Sequence, residues 1–106
     1  MSQEKGVYHL FCEVSEFLEN KMLCKRILDK RISVAKVGEG EYLAFEDSCP
    51  HQGESLSKGR LVDCTVTCPA HNWKFDLRTG ESTVVPDEFI YVFPVKLEGA
   101  RVYVRL

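Results

Sequence analysis

No apolar run in this chain approaches the ~18 residues that a membrane-spanning helix needs, and the first residues, Met1-Ser2-Gln3-Glu4-Lys5-Gly6, lack the apolar core of a secretory signal. A cytoplasmic protein with no membrane contact is therefore expected. An excess of charge of one sign is missing too. The 14 Lys and Arg stand against 16 Asp and Glu, giving a formal net charge of −2. That balance offers no electrostatic reason to expect nucleic acid or an anionic membrane as a partner. A glycine-rich nucleotide loop is lacking, so a dinucleotide-binding site is not expected. There is no internal repeat, linker or low-complexity segment, and 106 residues suit one domain spanning 1–106 with an ordinary hydrophobic core.

A disulfide framework is also unexpected. The five cysteines (Cys12, Cys24, Cys49, Cys64 and Cys68) are an odd number in a chain without secretory features. Their chemistry is then open to metal, or to service as small buried hydrophobes, the reading given to Cys12, Cys24 and Cys64.

What is present is β-rich. Val7 to Cys12, Met22 to Leu28, Ile32 to Val37 and Tyr42 to Phe45 carry strand-forming residues. Met22 to Leu28 also scores as a short helix, and its β surroundings favour the strand. Asp29-Lys30-Arg31 reads as a polar break and Gly38-Glu39-Gly40-Glu41 as a tight turn. Ser15 to Leu18 leaves room for one helical turn at most. Arg60-Leu61-Val62, Thr65-Val66-Thr67 and Trp73-Lys74-Phe75 are short strands, and Asp76 to Gly80 is a turn. Phe89 to Leu97 and Arg101 to Leu106 form a hairpin across Glu98-Gly99-Ala100, with Pro94 marking an edge or a bulge. Short strands at turn-punctuated intervals predict an all-β fold, a small antiparallel sandwich or barrel.

The chemistry concentrates between Cys49 and His71. Cys49-Pro50-His51 is followed by sixteen residues and then by Cys68-Pro69-Ala70-His71. Each cluster offers one thiolate and one imidazole, and Pro50 and Pro69 stiffen the two loops. Two Cys and two His could hold structural zinc in a non-redox interaction module. Zinc fingers, however, usually pair like with like within each knuckle, whereas here each cluster is mixed.

The segments Cys49-Pro50-His51-Gln52-Gly53 and Cys68-Pro69-Ala70-His71, with the continuation Trp73 to Gly80, resemble the two-loop motif of Rieske iron–sulfur proteins. In that family two histidines replace two cysteines on one iron of a [2Fe–2S] cluster. The resemblance is most specific from Asp47 to Gly80. It implies cluster-binding loops at about 47–56 and 66–75 that form a subdomain of the β fold. It further implies Cys49 and Cys68 on one iron, and His51 and His71 on the other. One departure is Asn72, where the family usually has Gly after the second His. Asn tolerates left-handed backbone well, so the loop can keep its shape.

The resemblance implies an electron carrier and not an enzyme. The expected role is a soluble, monomeric Rieske ferredoxin between a reductase and the terminal component of a multicomponent aromatic-ring dioxygenase or monooxygenase. The alternative is the small Rieske-like subunit of an NAD(P)H nitrite reductase. A chain of 106 residues taken up by this fold is not expected to hold an oxygenase's catalytic domain as well. High-potential Rieske proteins carry an extra cysteine in each loop, and Glu54 and Ala70 stand at those positions here. Trp73 and Phe75 stand where those proteins place hydroxyls near the cluster. Fewer hydrogen bonds to the sulfurs imply a midpoint toward about −150 mV, the low end of the Rieske range. The end carrying His51 and His71, with Gln52, Asn72 and Trp73 close by, is the expected docking surface. Lys21, Lys25, Arg26, Lys30 and Arg31 are read as the wet face of a strand pair.

Overall fold

The structure, a computed structural model, describes residues 6–17, 21–50 and 53–106. Its strands are β1 (Tyr8–Glu13), β2 (Met22–Ile27), β3 (Lys30–Gly38), β4 (Glu41–Glu46), β5 (Arg60–Val62), β6 (Thr65–Thr67), β7 (Lys74–Asp76), β8 (Val92–Phe93), β9 (Val95–Glu98) and β10 (Arg101–Arg105). They form three sheets, ordered β1-β10-β9, β2-β3-β4-β8 and β5-β6-β7, and every pairing is antiparallel. The all-β antiparallel expectation holds, and Met22–Ile27 is a strand rather than a helix. The single helical turn near Ser15 is a 3₁₀ turn over Val14–Phe17.

The four-stranded sheet is the middle layer, because its side chains feed both hydrophobic clusters. From one face Ile32, Val34, Tyr42 and Ala44 pack with Phe11, Cys12, Val102 and Val104 of the β1-β10-β9 sheet. From the other, Ala35 and Phe45 pack with Val66 and Phe75 of the β5-β6-β7 sheet, and with Leu56, Leu77 and Ile90. The period-2 alternation of strands sends consecutive residues to opposite faces, so Ile32-Ser33-Val34-Ala35 is buried throughout. Burying a phenylalanine such as Phe45 or Phe75 contributes about 1.5–3 kcal/mol. The second cluster also contains Cys49 and Cys68, so the core itself fixes where the two loops begin.

Four local expectations are corrected. The break between β2 and β3 is not Asp29-Lys30-Arg31 but the two-residue turn Leu28-Asp29, both at positive φ (53° and 64°); Lys30 and Arg31 already belong to β3. The strand expected over 89–97 is divided at Pro94. β8 pairs with β4, and β9 crosses to pair with β10, because proline has no N–H to continue a ladder. Cys24 is exposed rather than buried, since it sits on the outermost strand of its sheet. Nor are the five basic residues simply a wet face. Lys25 Nζ donates to Phe11 O at 2.8 Å, and Arg31 Nη2 donates to Gly53 O at 2.9 Å. By contrast, Cys12 and Cys64 are buried as expected.

Candidate metal centre

The two cysteine loops are built alike, which their different spacings conceal. In the first, Cys49 N donates to Glu54 O at 2.9 Å and Gly53 N donates to Cys49 O at 2.7 Å. In the second, Cys68 N donates to Trp73 O at 2.7 Å and Asn72 N donates to Cys68 O at 3.1 Å. Each loop is thus a six-residue ring of chain, 49–54 and 68–73, closed on its own cysteine. The fourth residue after each cysteine turns left-handed, Gly53 at φ 74° and Asn72 at φ 61°. Asn72 therefore does what a glycine would do at this position.

Each ring hangs from packed structure. Cys49 follows β4 at 1% exposure, and Cys68 follows β6 at 0%. Between β5 and β6 the turn Asp63-Cys64 has Asp63 at φ 53°, and Cys64 O accepts from Leu77 N at 2.8 Å. Gly59, just before β5, cannot carry a side chain, since a Cβ there would lie 1.8 Å from Thr67 O.

A second device fixes the first loop, and sequence reading missed it. Asp47 is fully buried, and its carboxylate accepts from Ser57 N at 2.6 Å, from Ser57 Oγ at 3.0 Å and from Ser55 Oγ. Asp47 N in turn donates to Arg31 O at 2.8 Å. These bonds tie the two feet of the loop together. With Arg31 on the Gly53 carbonyl, they hold the ring from both sides. The Cys24 thiol reaches the same group from β2. Partial burial raises its pKa, the Ser33 hydroxyl lowers it, and the Asp47 carboxylate raises it again. Nothing in the spacing of Asp47, Ser55 and Ser57 marks them as partners, because the bonds depend on how the loop folds back.

Of the four candidate ligands, Cys49 and Cys68 are brought together in one buried cluster. His71 is exposed at the rim of the second ring. His51 and Gln52 lie outside the described residues. Among the described residues no three His, Cys, Asp or Glu side chains converge on one point. None of the five cysteines is in a disulfide, and Glu54 and Ala70 are both exposed. The donor set suits an iron–sulfur cluster held between two loops: two buried thiols rooted in one core, and an imidazole facing water.

Residues 7–94 match the family model of the Rieske [2Fe-2S] domain. The chain is 31% identical over 94 residues to the ferredoxin component of an alkene monooxygenase system from Xanthobacter autotrophicus, covering 88% of this chain and 76% of that one. It is 33% identical over 94 residues to the ferredoxin component of a naphthalene 1,2-dioxygenase system from Pseudomonas putida, covering 88% and 89%. Among solved structures it superposes on a chain of the complex of reduced oxygenase and oxidized ferredoxin in carbazole 1,9a-dioxygenase. That match has TM-score 0.81 and 30% identity, covering 91% of this chain and 99% of that one. The chain therefore belongs to the Rieske [2Fe-2S] domain family, as a ferredoxin-type electron carrier whose cofactor is one [2Fe–2S] cluster.

Proposed function

We propose that this chain is a monomeric, cytoplasmic ferredoxin, one domain over 1–106. It would take single electrons from a reductase and deliver them to the terminal component of a multicomponent oxygenase, an aromatic-ring dioxygenase or a monooxygenase. The observation that carries the reading is the pair of matched rings, each closed on a cysteine that is rooted in the same buried cluster. In this reading Cys49 and Cys68 hold one iron, and His51 and His71 hold the other. The cluster, when bound, supplies a one-electron couple. The chain's own residues hold the site still. The ring hydrogen bonds and the Asp47 ties keep the ligands from rearranging between oxidation states, and exposed His71 gives the electron a short way out. Among the described residues no helix is long and apolar enough to cross a membrane.

The test is reconstitution. Added to a reductase and terminal dioxygenase that lack their ferredoxin, the purified protein is expected to restore NADH-driven substrate oxidation in proportion to its concentration. A protein with an intact cluster that supports no turnover, and is recovered only in fixed stoichiometry with a larger enzyme, would contradict the shuttle role.

A further inference from the structure

The outer face of the β5-β6-β7 sheet forms a groove of about 870 Å³ that runs up to Cys68, Pro69 and Asn72 of the second ring. The register explains its chemistry. Leu61, Val66 and Phe75 form one cross-strand row that packs inward against the second hydrophobic cluster. The neighbouring row, Arg60, Thr67 and Lys74, must then point outward. Lys58 adds a third cation, and Thr65 and Thr83 add hydroxyls; Thr83 is held there by its N–H on Lys74 O at 2.9 Å.

Among the described residues no ion pair joins Lys58, Arg60 or Lys74 to an acidic side chain. Asp63 is the one acidic side chain in the lining. A local excess of positive charge, in a chain of net charge −2, is thus placed beside one of the two rings. Concave walls with charge of one sign focus the field and select partners of the opposite sign.

We infer that this groove is a docking surface for a carboxylate-rich segment of a redox partner protein, received by Lys58, Arg60 and Lys74 beside the second ring. The inference rests on the electron-carrier reading. Three cations and a row of threonines match a short stretch of Asp and Glu side chains, with Lys and Arg taking the charge and the hydroxyls donating to carboxylate oxygens. The groove would orient the partner so that its electron-accepting group meets the second ring.

Two measurements on the cluster-loaded protein test this. The first is the rate at which the reduced protein gives its one electron to ferricyanide as salt is raised. Attraction at the groove predicts a rate that falls by about tenfold from low to physiological ionic strength. The combined variant Lys58→Glu, Arg60→Glu and Lys74→Glu changes only exposed residues, and is expected to reverse that trend with the cluster spectrum unchanged. A wild-type rate that rises with salt, as the net charge alone dictates, would overturn the proposal.

The second measurement needs no electron transfer. Threonine-methyl NMR with hexaglutamate is expected to shift Thr65, Thr67 and Thr83 and to leave Thr79, outside the groove, in place. Equal shifts at all four, or none, would also overturn it. A protein that holds no reducible cluster would instead refute the carrier reading, and the peptide titration would still decide on the groove.

Discussion

Gly53 and Asn72 occupy the same position in two different loops: each stands four residues after a cysteine, donates its N–H to that cysteine's carbonyl, and has positive φ. The equivalence sets the cost of substitution at both places. Asn72→Gly is expected to retain the cluster and to change stability by less than about 1 kcal/mol. Asn72→Val forces a β-branched residue into the left-handed region and is expected to cost about 1–2 kcal/mol. Gly53→Ala should fall near the same range for the same reason, because its Cβ would meet nothing closer than Ser48 Oγ at 3.9 Å. Urea denaturation, followed by the visible absorbance of the cluster, checks all three.

The Asp47 carboxylate is expected to matter more than any exposed charge near the loops. Asp47→Ala removes the acceptor of the Ser57 N–H and of two hydroxyls in a partly buried place, where the hydroxyls keep only each other. A loss of about 2–4 kcal/mol is expected. Asp47→Asn keeps the shape but replaces one acceptor oxygen by a donor, and should fall between wild type and Ala. Iron content per chain after purification is the accompanying readout, falling in the order wild type, Asn, Ala.

The turn Leu28-Asp29 places a leucine in left-handed backbone, and an aspartate where glycine is the usual second residue. Both have positive φ, where Asn-Gly is favoured, and Leu28 is 62% exposed, so little packing would be lost by replacing it. The double substitution Leu28→Asn with Asp29→Gly is expected to stabilise the protein by about 1–2 kcal/mol, raising Tm by several degrees. Calorimetry of the double variant checks this.

Alkaline pH should find Cys12. Burial, and secondarily the Glu16 carboxylate, push its thiol up to about 11, against a smaller opposing effect of Lys25. In the unfolded chain the thiol ionises near its ordinary value, so between about pH 9 and 11 the unfolded state loses a proton that the folded state retains. The stability that Cys12 contributes is therefore complete below about pH 9 and is lost as pH rises through about 11. Urea midpoints at pH 8 and pH 10.5 should drop further in wild type than in Cys12→Ala. At pH 8 only on the order of one Cys12 in 1,000 is thiolate, so alkylation of the native protein should spare it.

Much of this was legible in the sequence because local chemistry and global structure agree. The mixed Cys-x-His and Cys-x-x-His clusters, the glycine at Gly40, Gly80 and Gly99 where φ is positive, and the alternating short strands all signal themselves within a few residues. What stayed hidden depends on residues far apart in the chain. Asp47 meets Ser55 and Ser57 only after the loop folds back, and Arg31 reaches Gly53 across 22 residues. The groove exists because three strands align Arg60, Thr67 and Lys74, which no spacing reveals. The Leu28-Asp29 turn defied prediction for another reason, since leucine, unlike aspartate, is not a usual occupant of left-handed backbone.

The ligand set is tested most directly by pulsed EPR of the dithionite-reduced protein, with histidine alone labelled by ¹⁵N. Ligation by Cys49, Cys68, His51 and His71 predicts a rhombic signal of low average g, as mixed thiolate and imidazole ligation gives. Two ¹⁵N couplings should be present, one of them lost in His71→Ala if the cluster survives. A signal with no histidine coupling, or a colourless protein holding zinc, would contradict it.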